Sequence, residues 1–193
     1  MKAKGLLLVL LVVLISLFLV SCSNKSDENG YKDITDLYTV TQNDDNTYSY
    51  SFSDLNGKIL FEKDGVAREP EINQIDVGIY ELITQTGTGL STNWAVYCDV
   101  ENSKTSDLFY HVLGADENYV ICGNIKNNEY LIVVQEIFNN DGEGYFKEYK
   151  LENVSPVAAD FAVDCKIDNK SAFVTYLTGD DYTEAILQIQ LPD

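Results

Sequence analysis

His111 is the only histidine of this chain, and it lies in the apolar run Leu108-Phe109-Tyr110-His111-Val112-Leu113. As a general base it would need a nucleophile and an orienting acid beside it. The nucleophile-elbow pattern Gly-x-Ser-x-Gly is absent, since Gly89-Leu90-Ser91-Thr92-Asn93 lacks the second glycine. One histidine is too few for the two-histidine metal motifs. The 31 Asp and Glu residues could supply a carboxylate pair for glycoside hydrolysis, but only a distance in space identifies such a pair. Asn139-Asn140-Asp141-Gly142-Glu143-Gly144 starts like a calcium loop, with glycine in the sixth place. The twelfth place, where a bidentate glutamate belongs, holds Lys150, so a plain turn is expected. No catalytic residue, metal site or cofactor is therefore expected.

The most site-like segment runs from Thr84 to Trp94, an uncharged stretch in a highly charged protein. Thr86, Thr88, Ser91 and Asn93 can exchange hydrogen bonds with a neutral ligand, and Gly87 and Gly89 permit close backbone approach. Trp94, the only tryptophan, could offer a ring for stacking. Aromatic faces beside hydroxyls and amides are the chemistry of sugar binding. The competing reading is a hairpin loop leading into a core strand, because alternation puts Trp94, Val96 and Cys98 on one face.

A different chemistry is written at the start of the chain. Met1-Lys2-Ala3-Lys4 is basic, and Leu6 to Val20 is apolar apart from Ser16. Fifteen helical residues span about 22 Å, short of a hydrocarbon core of about 30 Å. The pattern is that of a secretory signal. It ends in Leu19-Val20-Ser21-Cys22, which resembles the lipobox of bacterial lipoproteins. That resemblance covers residues 1–22 only. It implies that the Cys22 thiol accepts diacylglycerol and that the chain is cut before it. Residues 1–21 would be the signal peptide and 22–35 a lipidated, polar tether. The folded part, 36–193, would then lie outside the cytoplasm, anchored to a bacterial membrane by two acyl chains, which suffice for stable anchoring.

Loss of Lys2 and Lys4 leaves 11 Lys and Arg against 31 Asp and Glu, a net charge of −20. Such a surface repels nucleic acid and anionic head groups. No nucleic-acid partner is expected. With Cys22 acylated, Cys98, Cys122 and Cys165 are an odd number in an exported chain. None has a Cys-x-x-Cys partner, and each lies in an apolar stretch, so buried thiols are expected. A Cys98–Cys122 bridge is not expected, because the segment Asp107–Leu113 should separate their strands.

The elements that must position these groups are strands. Tyr48-Ser49-Tyr50-Ser51-Phe52 alternates strictly, and Asn56-Gly57 follows before Lys58-Ile59-Leu60-Phe61, a hairpin signature. Further strand-like runs continue to Leu191, separated by Asn-, Asp- and Gly-rich turns, with no capped helical pattern. The fold class is all-β, an antiparallel meander of about a dozen strands. They fall into groups near 36–65, 72–113, 118–151 and 160–191, about the spacing of propeller blades. A small or incomplete β-propeller-like arrangement is expected, with a two-sheet β-sandwich as the alternative.

The functional expectation is a non-catalytic binding or interaction domain, presented on a membrane by its lipid. Its partner would be a cell-wall glycan or an envelope protein. An envelope hydrolase or a hydrolase inhibitor on the same tether is the alternative, and a sensor or assembly module acting within a complex is a third.

Overall fold

Two-residue turns with both residues in the left-handed region set the registers of the meander. Asn127 and Asn128 (φ 53° and 63°) join one pair of strands, and Asn169 and Lys170 (φ 46° and 60°) join another. Such turns twist as the flanking strands do. The computed structural model describes residues 34–88, 92–139, 144–155 and 161–192. Residues 1–33, which hold the signal, Cys22 and nearly all of the tether, lie outside this set. Ile34–Asp193 forms one compact unit.

The described residues form fifteen strands and one 3-10 turn, Ile34–Asp36. The first sheet contains β1 (Tyr38–Gln42), β2 (Tyr48–Ser53) and β3 (Ile59–Val66). The second contains β4 (Glu71–Asp76), β5 (Ile79–Gln85), β6 (Asn93–Asp99) and β7 (Lys104–Thr105), with β8 (Phe109–Tyr110) also paired to β6. The third contains β9 (Val112–Ala115), β10 (Tyr119–Lys126), β11 (Glu129–Glu136) and β12 (Phe146–Lys150). The fourth contains β13 (Ala162–Asp168), β14 (Ser171–Thr178) and β15 (Thr183–Gln190). All pairings are antiparallel. The fold is all-β, and its four sheets follow the four groups read from the sequence.

Three buried clusters hold the sheets in series. Tyr50, Phe52, Leu82, Trp94, Val96 and Cys98 fill the layer between the first and second sheets. Ala95, Tyr97, Phe109, Val120, Cys122 and Val133 fill the layer between the second and third. Ile121, Ile132, Val134, Phe161, Val174 and Ile189 fill the layer between the third and fourth. No cluster among the described residues joins the fourth sheet to the first. The result is an open, propeller-like stack in which each neighbouring pair packs locally as a sandwich does.

Strand burial follows from this order. All seven residues of β6 are buried, because Trp94, Val96 and Cys98 face one layer and Ala95 and Tyr97 the other. A strand covered on both faces reads as a continuous apolar run rather than an alternation. The outer first sheet keeps its alternation, with Tyr50 and Phe52 inward and Ser49, Ser51 and Ser53 turned the other way.

Close approach of the third and fourth sheets uses glycine. A Cβ on Gly123 would lie 2.9 Å from the Phe161 ring, and one on Gly114 would lie 3.3 Å from the Cys165 sulfur. Turn carboxylates do much of the local fixing. The Asp54 Oδ1 accepts the Asn56 and Lys58 amides at 2.8 and 2.9 Å, and the Ser103 hydroxyl donates to its Oδ2, tying the first sheet to the second. Asp99 and Asp116 accept backbone amides in the same way. Part of the acidic composition is thus turn chemistry.

One expected strand is divided. The segment Asp107–Leu113 does lie between β6 and β10, but His111 has φ 56° and breaks it in two. Phe109 and Tyr110 pair with the second sheet, and Val112 onward pairs with the third. The backbone crosses from sheet to sheet at this one residue: the His111 amide donates to the Asn93 carbonyl, and its carbonyl accepts from Gly123.

Candidate functional site

The crossover at His111 opens a cleft on the surface between the second and third sheets. Two adjoining cavities of about 270 Å³ each lie along it, sharing Phe109, Gln135 and Phe146 as walls. β8 forms one bank. β11 and the start of β12 form the other, with Gln135 paired to Phe146. Phe109 is buried and closes the floor.

Two aromatic rings stand out of this cleft. Tyr110 is 59% exposed and Phe146 is 58% exposed. Around them lie the amides of Asn124, Gln135 and Asn139, the exposed imidazole of His111, and the exposed carboxylates of Asp107 and Glu136. Glu136 also accepts the Tyr145 backbone amide at 3.2 Å, which fixes it at the rim. Tyr145 stacks edge-on against Tyr119 with centroids 5.6 Å apart, and burial pushes its phenol up, assisted by the Tyr149 hydroxyl.

Cys122 and His111 line the same cavity, the residue types of a thiol nucleophile and its base. Burial pushes the Cys122 thiol up to about 12, so it is a protonated, inert wall at neutral pH. Asp107 and Glu136 are both exposed. No group of three or more His, Cys, Asp or Glu residues among those described could hold a metal ion.

The segment read from sequence as a binding loop has a different geometry. Trp94 is 8% exposed. It packs against Phe61 with centroids 6.3 Å apart, and the Lys63 ammonium lies 6.0 Å over its ring. Asn93 is buried, its Nδ2 donating to the Val112 carbonyl and its Oδ1 accepting the Val112 amide, both at 2.9 Å. The Thr86 amide and hydroxyl both donate to the Thr92 carbonyl, and Arg68 donates to the Gly87 carbonyl. Thr88 is exposed, while Gly89 and Ser91 lie outside the described residues. The core reading of Trp94, one of the two outcomes that the alternation left open, is the one seen. Asn93 positions the cleft from beneath, since Val112 follows the crossover residue.

Cys98, Cys122 and Cys165 are free, and each belongs to a different interlayer. No two face each other, and burial pushes all three thiols up to about 12.

Asn139 and Gly144 line one end of the cleft, and residues 140–143 between them lie outside the described set. Sequence reading missed the cleft because its described walls come from separate stretches, 107–111, 122–124, 133–139 and 144–146. The one local signal was Phe146, an aromatic residue at the head of the lysine-rich strand Phe146-Lys147-Glu148-Tyr149-Lys150.

Among the described residues no helix is long and apolar enough to cross a membrane. No family model, no curated protein and no solved structure matches this chain.

Proposed function

We propose that this protein is a lipid-anchored, extracytoplasmic binding module that holds a neutral glycan of the cell envelope in the cleft between its second and third sheets. The observation that carries the reading is the pair of exposed rings, Tyr110 and Phe146, set among the amides of Asn124, Gln135 and Asn139. Sugar rings present flat C–H faces that stack on aromatic rings. Amide side chains both donate and accept, as adjacent hydroxyls require. The carboxylates of Asp107 and Glu136 accept hydroxyl hydrogens and repel anions, which favours uncharged saccharides. Anchorage rests on Leu19-Val20-Ser21-Cys22 and the basic and apolar stretches before it. The acidic surface would keep the domain clear of anionic head groups.

Binding of neutral cell-wall oligosaccharides to the full-length chain tests the ligand assignment. Phe146→Ala and Tyr110→Ala should each weaken binding by at least about tenfold, the scale of about 1.4 kcal/mol, with unfolding temperature unchanged. Equal affinity of both variants and the wild type would remove the cleft from consideration. Anchorage is tested separately by Cys22→Ala, which should block lipidation and cleavage and so leave an unprocessed precursor that keeps residues 1–21. Retention of a mature-sized species in detergent would refute the lipobox reading.

A further inference from the structure

The fourth sheet ends in an edge strand that lies outside the cleft. Among the described residues β15 pairs only with β14. The Leu191 amide donates to the Lys170 carbonyl at 2.9 Å, and this sets the phase of the ladder. Hydrogen-bonded and non-hydrogen-bonded positions alternate along an antiparallel pair. The odd-numbered residues of β15 therefore bond to β14. The amides and carbonyls of Glu184, Ile186, Gln188 and Gln190 point to the open side. Ile186 is 66% exposed.

Edge strands are ordinarily guarded by charge or by short length. The other long edges here follow that rule. β3 carries Glu62, Lys63 and Asp64; β12 carries Lys147, Glu148 and Lys150; and β13 carries Asp164, Lys166 and Asp168. β4 has an acid at each end, and β1, which has no charge, is only five residues long. β15, Thr-Glu-Ala-Ile-Leu-Gln-Ile-Gln, has eight residues, one charge and no proline. Among the described residues it is the one long edge without such a guard.

We propose that β15 pairs antiparallel with β15 of a second copy of this chain, about a twofold axis at Leu187, making one six-stranded sheet. The strand is complementary to itself in that register. Every outward-pointing residue meets an outward-pointing residue: Glu184 opposite Gln190 of the second copy, and Ile186 opposite Gln188. Each pair of residues exchanges two backbone hydrogen bonds. The carboxylate of Glu184 meets the Gln190 amide, whose Nε2 donates one hydrogen to the Lys170 carbonyl at 2.8 Å and has a second for the carboxylate. The two Ile186 side chains become diagonal neighbours across the axis, within reach of each other. The two Glu184 side chains lie at opposite ends, six residues or about 20 Å apart at about 3.4 Å per residue. That is beyond the screening length of about 8 Å at physiological salt. A heterologous peptide could use the same edge, but the twofold match of side chains favours a second copy.

The register makes a test possible in the membrane-bound, full-length protein. Leu187 on the axis would be a non-hydrogen-bonded pair with Cα atoms about 4.5 Å apart, inside the disulfide range. Leu187→Cys should therefore form a disulfide-linked dimer under mild oxidation. The exposed loop variant Glu117→Cys reports random collision. Cys98, Cys122 and Cys165 stay out of the reaction because they are buried or half-buried, with thiols pushed up to about 12. Adding Gln188→Pro removes an outward amide without touching the β14 ladder, and it should cut the cross-link at least about tenfold. Adding Ile186→Asp should do the same by placing like charges about the axis, which keeps the test open if the proline variant misfolds. Cross-linking of Leu187→Cys no faster than Glu117→Cys would overturn the proposal. So would cross-linking undiminished by either second substitution.

Discussion

Trp94 and Phe146 are both large aromatic residues at strand ends, yet one is 8% and the other 58% exposed. β6, which Asn93 and Trp94 open, runs between two sheets, so every side chain on it is claimed by one interlayer or the other. β12 is an edge strand of the third sheet, so its first ring has no second sheet to cover it. Position in the stack, not residue type, decides whether an aromatic group is buried in the fold or left in solvent.

The sharpest way to break this contrast is truncation of both rings. Trp94→Ala should lower stability by about 3–5 kcal/mol, as expected for a buried aromatic side chain, read by denaturant unfolding of the full chain. A loss under about 1 kcal/mol would mean that the ring is not core. Asn93→Ala comes next. It strands the Val112 amide and carbonyl in the interior, which costs about 1–3 kcal/mol for each buried polar group left unsatisfied. It should also loosen the cleft, so ligand affinity falls with stability. Intact stability would argue against the clamp. Gly123→Ala pushes a methyl group into the Phe161 ring and should cost about 1–3 kcal/mol through overpacking, whereas an unchanged melting temperature would mean that the third and fourth sheets pack less closely.

The pH response of Asp54 is a smaller effect. The Ser103 hydroxyl hydrogen bond, aided by the Lys58 and Asn56 amides, holds its carboxyl below the usual 3.8. A depressed folded value stabilises the protein above the unfolded value, and this is lost as pH falls through the folded value. The stability gap between the wild type and Asp54→Asn should therefore narrow only below about pH 4, in acid-unfolding curves; a gap that closes near neutrality would point to another group. The smallest expected effect is that of Phe146→Ala on stability, within about 0.5 kcal/mol as at most exposed sites, despite its loss of affinity. A large loss of stability would move Phe146 into the Trp94 class.

Much of the fold was legible because its signals are local. Asn56-Gly57, Asn127-Asn128 and Asn169-Lys170 announce their turns, and Tyr48 to Ser53 announces its inward face by alternation. The sheet boundaries were legible too, except at His111. A histidine in an apolar run carries no mark of a left-handed backbone, and its φ is imposed by bonds to Asn93 and Gly123 in two different sheets. The cleft could not be read for the same reason. Tyr110 and Phe146 are 36 positions apart in the chain, and only the pairing of β11 with β12 and of β8 with β6 sets them on facing banks. Hydroxyls and amides in one run, as at residues 84–94, look like a site, but here Thr86 closes the hairpin, Thr84 meets the Tyr50 hydroxyl and Asn93 clamps Val112.

An open stack has ends, and each sheet leans only on its neighbours. Opening of the structure should then start at the first and fourth sheets, each covered on one face, and reach the middle last. Amide hydrogen exchange would show this as a gradient, slowest in β6, β10 and β11 and faster towards β1 and β15. The cleft between the second and third sheets lies against the slow end of that gradient, where its banks would stay in register even while the outer sheets breathe.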